Sequence, residues 1–202
     1  MGLTLGVLHE ALSTYHDVTK QYRRQVAYCE LGPLVYFDIG THRGTEGRVV
    51  VELQQQAQPE LSEHLLKLCA GQYSDTGAKP RTYANAKIAA IDKPSRVLLV
   101  GNTEDGEPTF HPAHVGGVVV ENARQTGPCF QDGSLVMLPF SWSSRHFSSL
   151  FYFYTGSATW VRDGVVVGRI VEGKEVVEEL MDYGTDSGIP RHPLYILACG
   201  RL

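Results

Sequence analysis

From residue 5 to residue 29 the apolar side chains fall at Leu8, Leu12, Tyr15, Val18, Tyr22, Val26 and Cys29, in steps of three and four. That spacing puts them on one face of a helix. Glu10, Asp17, Lys20, Arg23 and Arg24 fill the opposite face, so the segment predicts an amphipathic helix of several turns. Gly32 and Pro33 end it. Beyond them the period changes. Leu34 to Ile39 and Arg48 to Leu53 are rich in β-branched and aromatic residues, with Gly40, Gly44 and Gly47 between them, and predict a hairpin. Pro59 opens a helical stretch whose apolar face is Leu61, Leu65, Leu68 and Cys69, and Gly71 stops it.

The rest of the chain alternates short apolar runs with Gly and Pro turns. Strands are expected at Arg96 to Val100, Val118 to Val120, Ser134 to Leu138, Leu150 to Tyr154, Val165 to Ile170 and Leu194 to Ala198. A second helix is expected at Lys174 to Met181. About eight short strands with two helices suggest a closed barrel. The division that follows is an N-terminal helical extension over residues 1–32 and one barrel domain over residues 33–202.

Composition changes this picture little. With 202 residues, 43% hydrophobic and 20% charged, the chain can bury an ordinary core. A net charge of -4 gives no basic stripe for nucleic acid or an anionic membrane. No apolar run approaches the roughly 18 residues that would span a bilayer, and the N-terminus lacks a basic region ahead of its short apolar stretch. The four cysteines, Cys29, Cys69, Cys129 and Cys199, lie far apart and form no CxxC pair. They are expected to be free thiols in a reducing, intracellular and by preference cytoplasmic setting, with ciliary, nuclear and organellar locations left open.

Other chemistry is thin. His111 and His114 lack a third ligand at useful spacing, so no metal is expected there. Ser143, Ser144, Arg145 and His146 show no nucleophile elbow or acidic partner. The glycines between Gly40 and Gly47 are not followed by Gly-Lys-Ser/Thr, so they form no phosphate loop. No cofactor is expected.

The order of elements and several strings in them resemble the cyclophilins. Asp38 to Leu53 is similar to the family's first hairpin, with Gly47-Arg48-Val49 and Glu52-Leu53 in place. Pro59, Glu63, Leu65, Leu68, Cys69 and Gly71 resemble its first helix, and Tyr83 the tyrosine that opens the next strand region. Glu121-Asn122, Thr126-Gly127-Pro128, Phe151-Tyr152, Trp160, Asp163-Gly164, Val166 to Arg169, Glu172-Gly173, Val176-Val177 and Ile196 to Leu202 follow in order. The resemblance implies a mainly all-β fold, a closed eight-stranded antiparallel barrel capped by two helices. It also implies prolyl isomerisation of a protein or proline-containing peptide. In that chemistry the amide barrier of about 18–20 kcal/mol is lowered by an apolar proline pocket and an arginine guanidinium beside the twisting bond.

Carried over position by position, the resemblance implies a degraded pocket. Counting from Tyr83, the arginine position falls on Ala90, a methionine position on Leu98 and a glutamine position on Val100. The Ala-Asn-Ala edge falls on Leu138-Pro139-Phe140, where Pro139 has no N–H to give a substrate backbone. The glutamine before the aromatic pair is Leu150. Tyr152 takes the pocket floor and Trp160 the rim. No catalytic residue is assigned, and Arg96 is the one candidate substitute for the missing arginine, if the gap before Val97 is placed differently. Two functional readings follow. One is a binding or structural subunit, a pseudoenzyme that docks into a larger multiprotein assembly by its surface and its N-terminal helix. The other is a divergent, active isomerase assisting protein folding through Tyr152, Trp160 and Arg96.

Overall fold

A computed structural model describes residues 32–72, 82–101, 118–119, 130–139, 146–157 and 164–202. The chain divides into two units, Met1–Gly32 and Pro33–Leu202, and the second is the one described below. The helix expected over residues 5 to 29 lies outside the described residues.

The first hairpin forms as its pattern requires. Strands β1 (Leu34–Thr41) and β2 (Gly44–Leu53) pair antiparallel. Alternation sends Val35, Phe37 and Ile39 of β1, and Val49, Val51 and Leu53 of β2, to one buried face. On the other face Arg48 pins the register. Its guanidinium donates twice to the Asp38 carboxylate, at 2.6 and 2.8 Å, and lies 4.2 Å above the Tyr36 ring. Helix α1 (Pro59–Cys69) follows, with Leu61, Leu65 and Leu68 on the same interior cluster. It stops where expected, since Gly71 adopts a φ of 63°.

The remaining strands are β3 (Ile88–Asp92), β4 (Val97–Val100), β5 (Val118–Val119), β6 (Ser134–Pro139), β7 (His146–Tyr154), β8 (Val165–Glu172) and β9 (Tyr195–Arg201). Helix α2 (Lys174–Leu180) sits between β8 and β9 and buries Val177 and Leu180. Strand order is β3-β4-β7-β6-β8-β2-β1-β9, all antiparallel, with β5 added on β7. The path thus has the eight strands of the expected barrel. Strand β3 was not among the strands expected from the sequence, because IAAID offers two alanines and little alternation. The two ends of the path meet where residues 85–88 run beside β9. Asn85 donates to Ile196, Ile196 to Ala86, and Ile88 to Leu194, at 2.7–2.8 Å, and Lys87 bridges Tyr195. These bonds nearly close the sheet into a barrel and remove its free edges.

An aromatic knot fills the interior. Phe37, Tyr83, Phe151 and Phe153 meet edge-on or tilted, with centroids 4.9–6.1 Å apart. Tyr83 is fully buried, and its hydroxyl donates to the Ser149 carbonyl at 2.7 Å. That bond satisfies the one polar atom of the ring, and burial pushes its ionisation well above the ordinary tyrosine value.

Helix α2 begins at Gly173, which has a φ of 77°. A Cβ there would run into the Arg48 carbonyl oxygen. Gly173→Ala therefore combines a left-handed backbone with a collision against backbone. It should cost about 2–3 kcal/mol, read as a thermal midpoint lowered by about 5–10 °C. An unchanged midpoint would show that α2 can start elsewhere without strain.

Candidate functional site

Strand β7 has two faces. Phe147, Phe151 and Phe153 join the barrel interior, so Tyr152 and Tyr154 must point outward. A second, smaller apolar cluster forms there from Val136, Tyr152, Tyr154 and Val166, with Val97, Leu99, Phe130 and Leu138 packed against it.

Pairing lines up one row across five strands. Leu99 of β4 stands opposite Tyr152, and Ala90 of β3 opposite Leu99. On the other side Val136 of β6 stands opposite Tyr152, and Val166 of β8 opposite Val136. Directly paired residues share a face of the sheet. The row Ala90–Leu99–Tyr152–Val136–Val166 is therefore one continuous outer stripe. Its side chains carry a single polar atom, the Tyr152 hydroxyl. The centre of the stripe is closed over, with Tyr152 4%, Val136 0% and Val166 3% exposed.

The expected pocket residues divide between the two faces. Ala90 does lie in the Tyr152 row, two strands away. Leu150 is on β7 in the same phase as Tyr152 and is 8% exposed. Leu98 and Val100 lie on the other face of the sheet from Tyr152. Both are fully buried in the barrel interior, and the outward side chains of β4 are Val97 and Leu99. The cause is local. The β3–β4 pairing shifts register between Ile88 and Ala90, which keeps Ile88 and Ile91 inside, and Gly101 N–H bonds the Lys87 carbonyl at 2.8 Å. Val97-Leu98-Leu99-Val100 is apolar at every position, so its phase could not be read from periodicity.

Arg96 lies elsewhere. It ends the β3–β4 turn with a φ of 55°, a left-handed conformation uncommon for a residue with a side chain. Asp92 supports the turn by accepting the Ser95 N–H at 3.2 Å. The Arg96 carbonyl accepts the Thr155 N–H at 3.0 Å, which sets it level with a residue three beyond Tyr152 on the chain. At about 3.3 Å per residue, that is about 10 Å along the strand. The guanidinium is 3.8 Å from the Glu178 carboxylate of α2, which also meets Lys174 at 3.4 Å. Lys174 bonds Asp132 as well, and that contact raises its ionisation above the ordinary lysine value.

Pro139 ends β6 opposite Phe147, after a register shift. Phe140 and Trp160 lie outside the described residues, as do His111, His114, Ser143, Ser144 and Arg145. Among the described residues no three His, Cys, Asp or Glu side chains gather as a metal site, and no helix is long and apolar enough to cross a membrane.

The outer stripe can accept apolar groups at its partly exposed end, around Ala90 and Leu99. Among the described residues, the five side chains of the row itself include no guanidinium. Comparison with protein-family models matches residues 36–201 to the cyclophilin type peptidyl-prolyl cis-trans isomerase/CLD family. That match covers well over half of the sequence, the barrel is the one its element order implied, and the chain belongs to the cyclophilin-type peptidyl-prolyl isomerase family.

Proposed function

We propose that this cyclophilin-type domain is weak or inactive as a prolyl isomerase and acts as a protein-binding or structural subunit. One observation carries the reading: the row from Ala90 to Val166 has no polar side-chain atom besides the Tyr152 hydroxyl, and the family resemblance puts the arginine position at Ala90, where the row ends.

Isomerisation involves no bond making, so the catalyst must favour the twisted amide over the planar one. That is electrostatic work, done by donors fixed in place before the bond turns. Van der Waals contact with alanine, leucine and valine binds both states of an apolar substrate about equally, and uniform binding does not accelerate a step. Losing one preorganised donor typically costs about 100- to 1,000-fold in rate. Here leucine stands beside alanine, and proline ends the neighbouring strand β6. What the family scaffold retains is a rigid barrel with an apolar surface at one end of a row. This suits recognition of a protein or proline-containing peptide in a larger assembly, with the N-terminal segment as a further docking element.

In a protease-coupled prolyl-peptide assay the full chain should not exceed the thermal isomerisation rate by more than a few per cent of what an arginine-bearing cyclophilin gives. Arg96→Ala should leave that rate unchanged. Strong catalysis abolished by Arg96→Ala would overturn the reading and restore the active-isomerase alternative. The macrocyclic drug cyclosporin should bind weakly or not at all in calorimetry, because a filled stripe leaves no open floor at Tyr152. Tight binding would show that the face opens and that the pocket is intact.

A further inference from the structure

The open end of the outer stripe carries opposite charges at its two corners. Along β3 and the residue before it, the interior takes Ile88 and Ile91, both fully buried. The register shift between Ile88 and Ala90 inserts one residue, so Lys87, Ala89, Ala90 and Asp92 all fall on the outer face. Ala90 is half-buried and the other three are exposed. On β4, Val97 stands opposite Asp92 and Leu99 opposite Ala90, and both are half-buried. The result is an apolar patch two strands wide, with an ammonium at one end and a carboxylate at the other.

The fold leaves both charges available. Lys87 bonds through its backbone, bridging Tyr195 and accepting the Gly101 N–H at 2.8 Å. Asp92 accepts the Ser95 N–H at 3.2 Å on one oxygen only. Among the described residues neither side chain has an ion-pair partner. The adjoining turn does not neutralise Asp92, since its Arg96 lies 3.8 Å from Glu178 instead and its Lys93 pairs with no described carboxylate. Five steps of chain separate Lys87 from Asp92, one of them taken up by the bulge, which leaves about 13 Å between the corners. An extended segment shows residues i, i+2 and i+4 on one face, and these also span about 13 Å.

We propose that this patch is a docking surface for an extended protein segment with an acidic, an apolar and a basic residue at alternate positions. The acid meets Lys87, the apolar side chain lies on Ala90 and Leu99, and the base meets Asp92. The inference rests on the binding reading above and names the chemistry of its partner. Because the barrel has almost no free strand edge, the segment lies across the face and is read by its side chains. Apolar contact supplies affinity, and the two corner charges choose among segments. A segment with two acids or two bases sets one end against a like charge, which is a penalty as well as a lost attraction.

The test titrates the isotope-labelled full chain with capped peptides containing Glu-Thr-Leu-Thr-Lys, Lys-Thr-Leu-Thr-Lys or Gln-Thr-Leu-Thr-Gln, followed by amide shifts. The acid–base peptide should move the signals of Ala89, Ala90 and Leu99 and bind about fivefold more tightly than the other two. High salt should remove that advantage. Lys87→Glu should reverse the order and prefer the peptide with two lysines, which a purely structural role of Lys87 would not produce. No binding on this face, equal binding of the three peptides, or an unchanged order in Lys87→Glu would each overturn the proposal. Shifts of the same signals on raising the protein concentration alone would seat a second copy of the chain there and overturn it as well. The prolyl-peptide assay separates this inference from the reading beneath it. An inactive chain that ignores the charge order loses this inference and keeps that reading, whereas strong catalysis overturns both.

Discussion

The phase of β7 is the constraint on which the rest of the barrel depends. It pairs with β4 on one side and β6 on the other. A slip of one residue would send Phe151 and Phe153 to the outside and Tyr152 and Tyr154 to the inside. Three contacts of different kinds resist that slip. Phe37 packs against both inward phenylalanines. Tyr83 stacks on Phe151 with its ring 86° from the phenylalanine plane, and its hydroxyl bonds the β7 backbone at Ser149. A buried hydroxyl left without its acceptor would cost about 1–3 kcal/mol, so the bond is specific as well as favourable. Because β7 is fixed from inside, its outer face is fixed too, and with it the row that runs from Ala90 to Val166.

The fold was legible where one face of an element is buried and the other is not. Leu61, Leu65 and Leu68 announce α1, and Val35, Phe37 and Ile39 announce β1, because each set has one period. Turn chemistry marked the helix ends at Pro59 and Gly71. The same logic fails for Ile88-Ala89-Ala90-Ile91 and for Val97 to Val100. A bulge in the first and unbroken apolar character in the second erase the phase. Tertiary pairing supplied what periodicity could not, which is why Leu99, rather than Val100, shares the stripe with Tyr152. At the candidate site, family order supplied Ala90 and Tyr152 as expectations, strand pairing adds that they share one row through Leu99, and the outward set of β4 was not readable.

The cysteines show the converse failure. Along the chain the four cysteines lie far apart and form no CxxC pair. Yet sequence distance says little about spatial distance in a sheet whose last strand returns beside its first. Strand β9 pairs with β1, Phe37 opposite Cys199, and helix α1 is laid on the same interior cluster. Barrel closure brings the C-terminal strand back against the end of the first helix, and a contact across 130 positions, between the Cys199 thiol and the Cys69 carbonyl oxygen, is the result.

One segment links these features. Residues 82–88 approach Cys199 with Thr82 and the N–H groups of Tyr83 and Ala84, enter the aromatic knot with the Tyr83 ring, and seal the barrel with the bonds of Asn85 and Ala86 to Ile196 of β9 and of Ile88 to Leu194 just before it. They then lead directly into β3 and Ala90. The seam is thus a short stretch of backbone that answers to three demands at once. The barrel seam is met by main-chain hydrogen bonds, which most side chains can support, the approach to Cys199 by the Thr82 hydroxyl, and the knot by a tyrosine whose size and hydroxyl are both used. This division explains how the outer stripe can change its chemistry while the barrel persists. Ala90 and Leu99 contribute side chains to a face the seam does not use, whereas replacing Tyr83 would disturb the knot, the β7 register and the setting of Cys199 together.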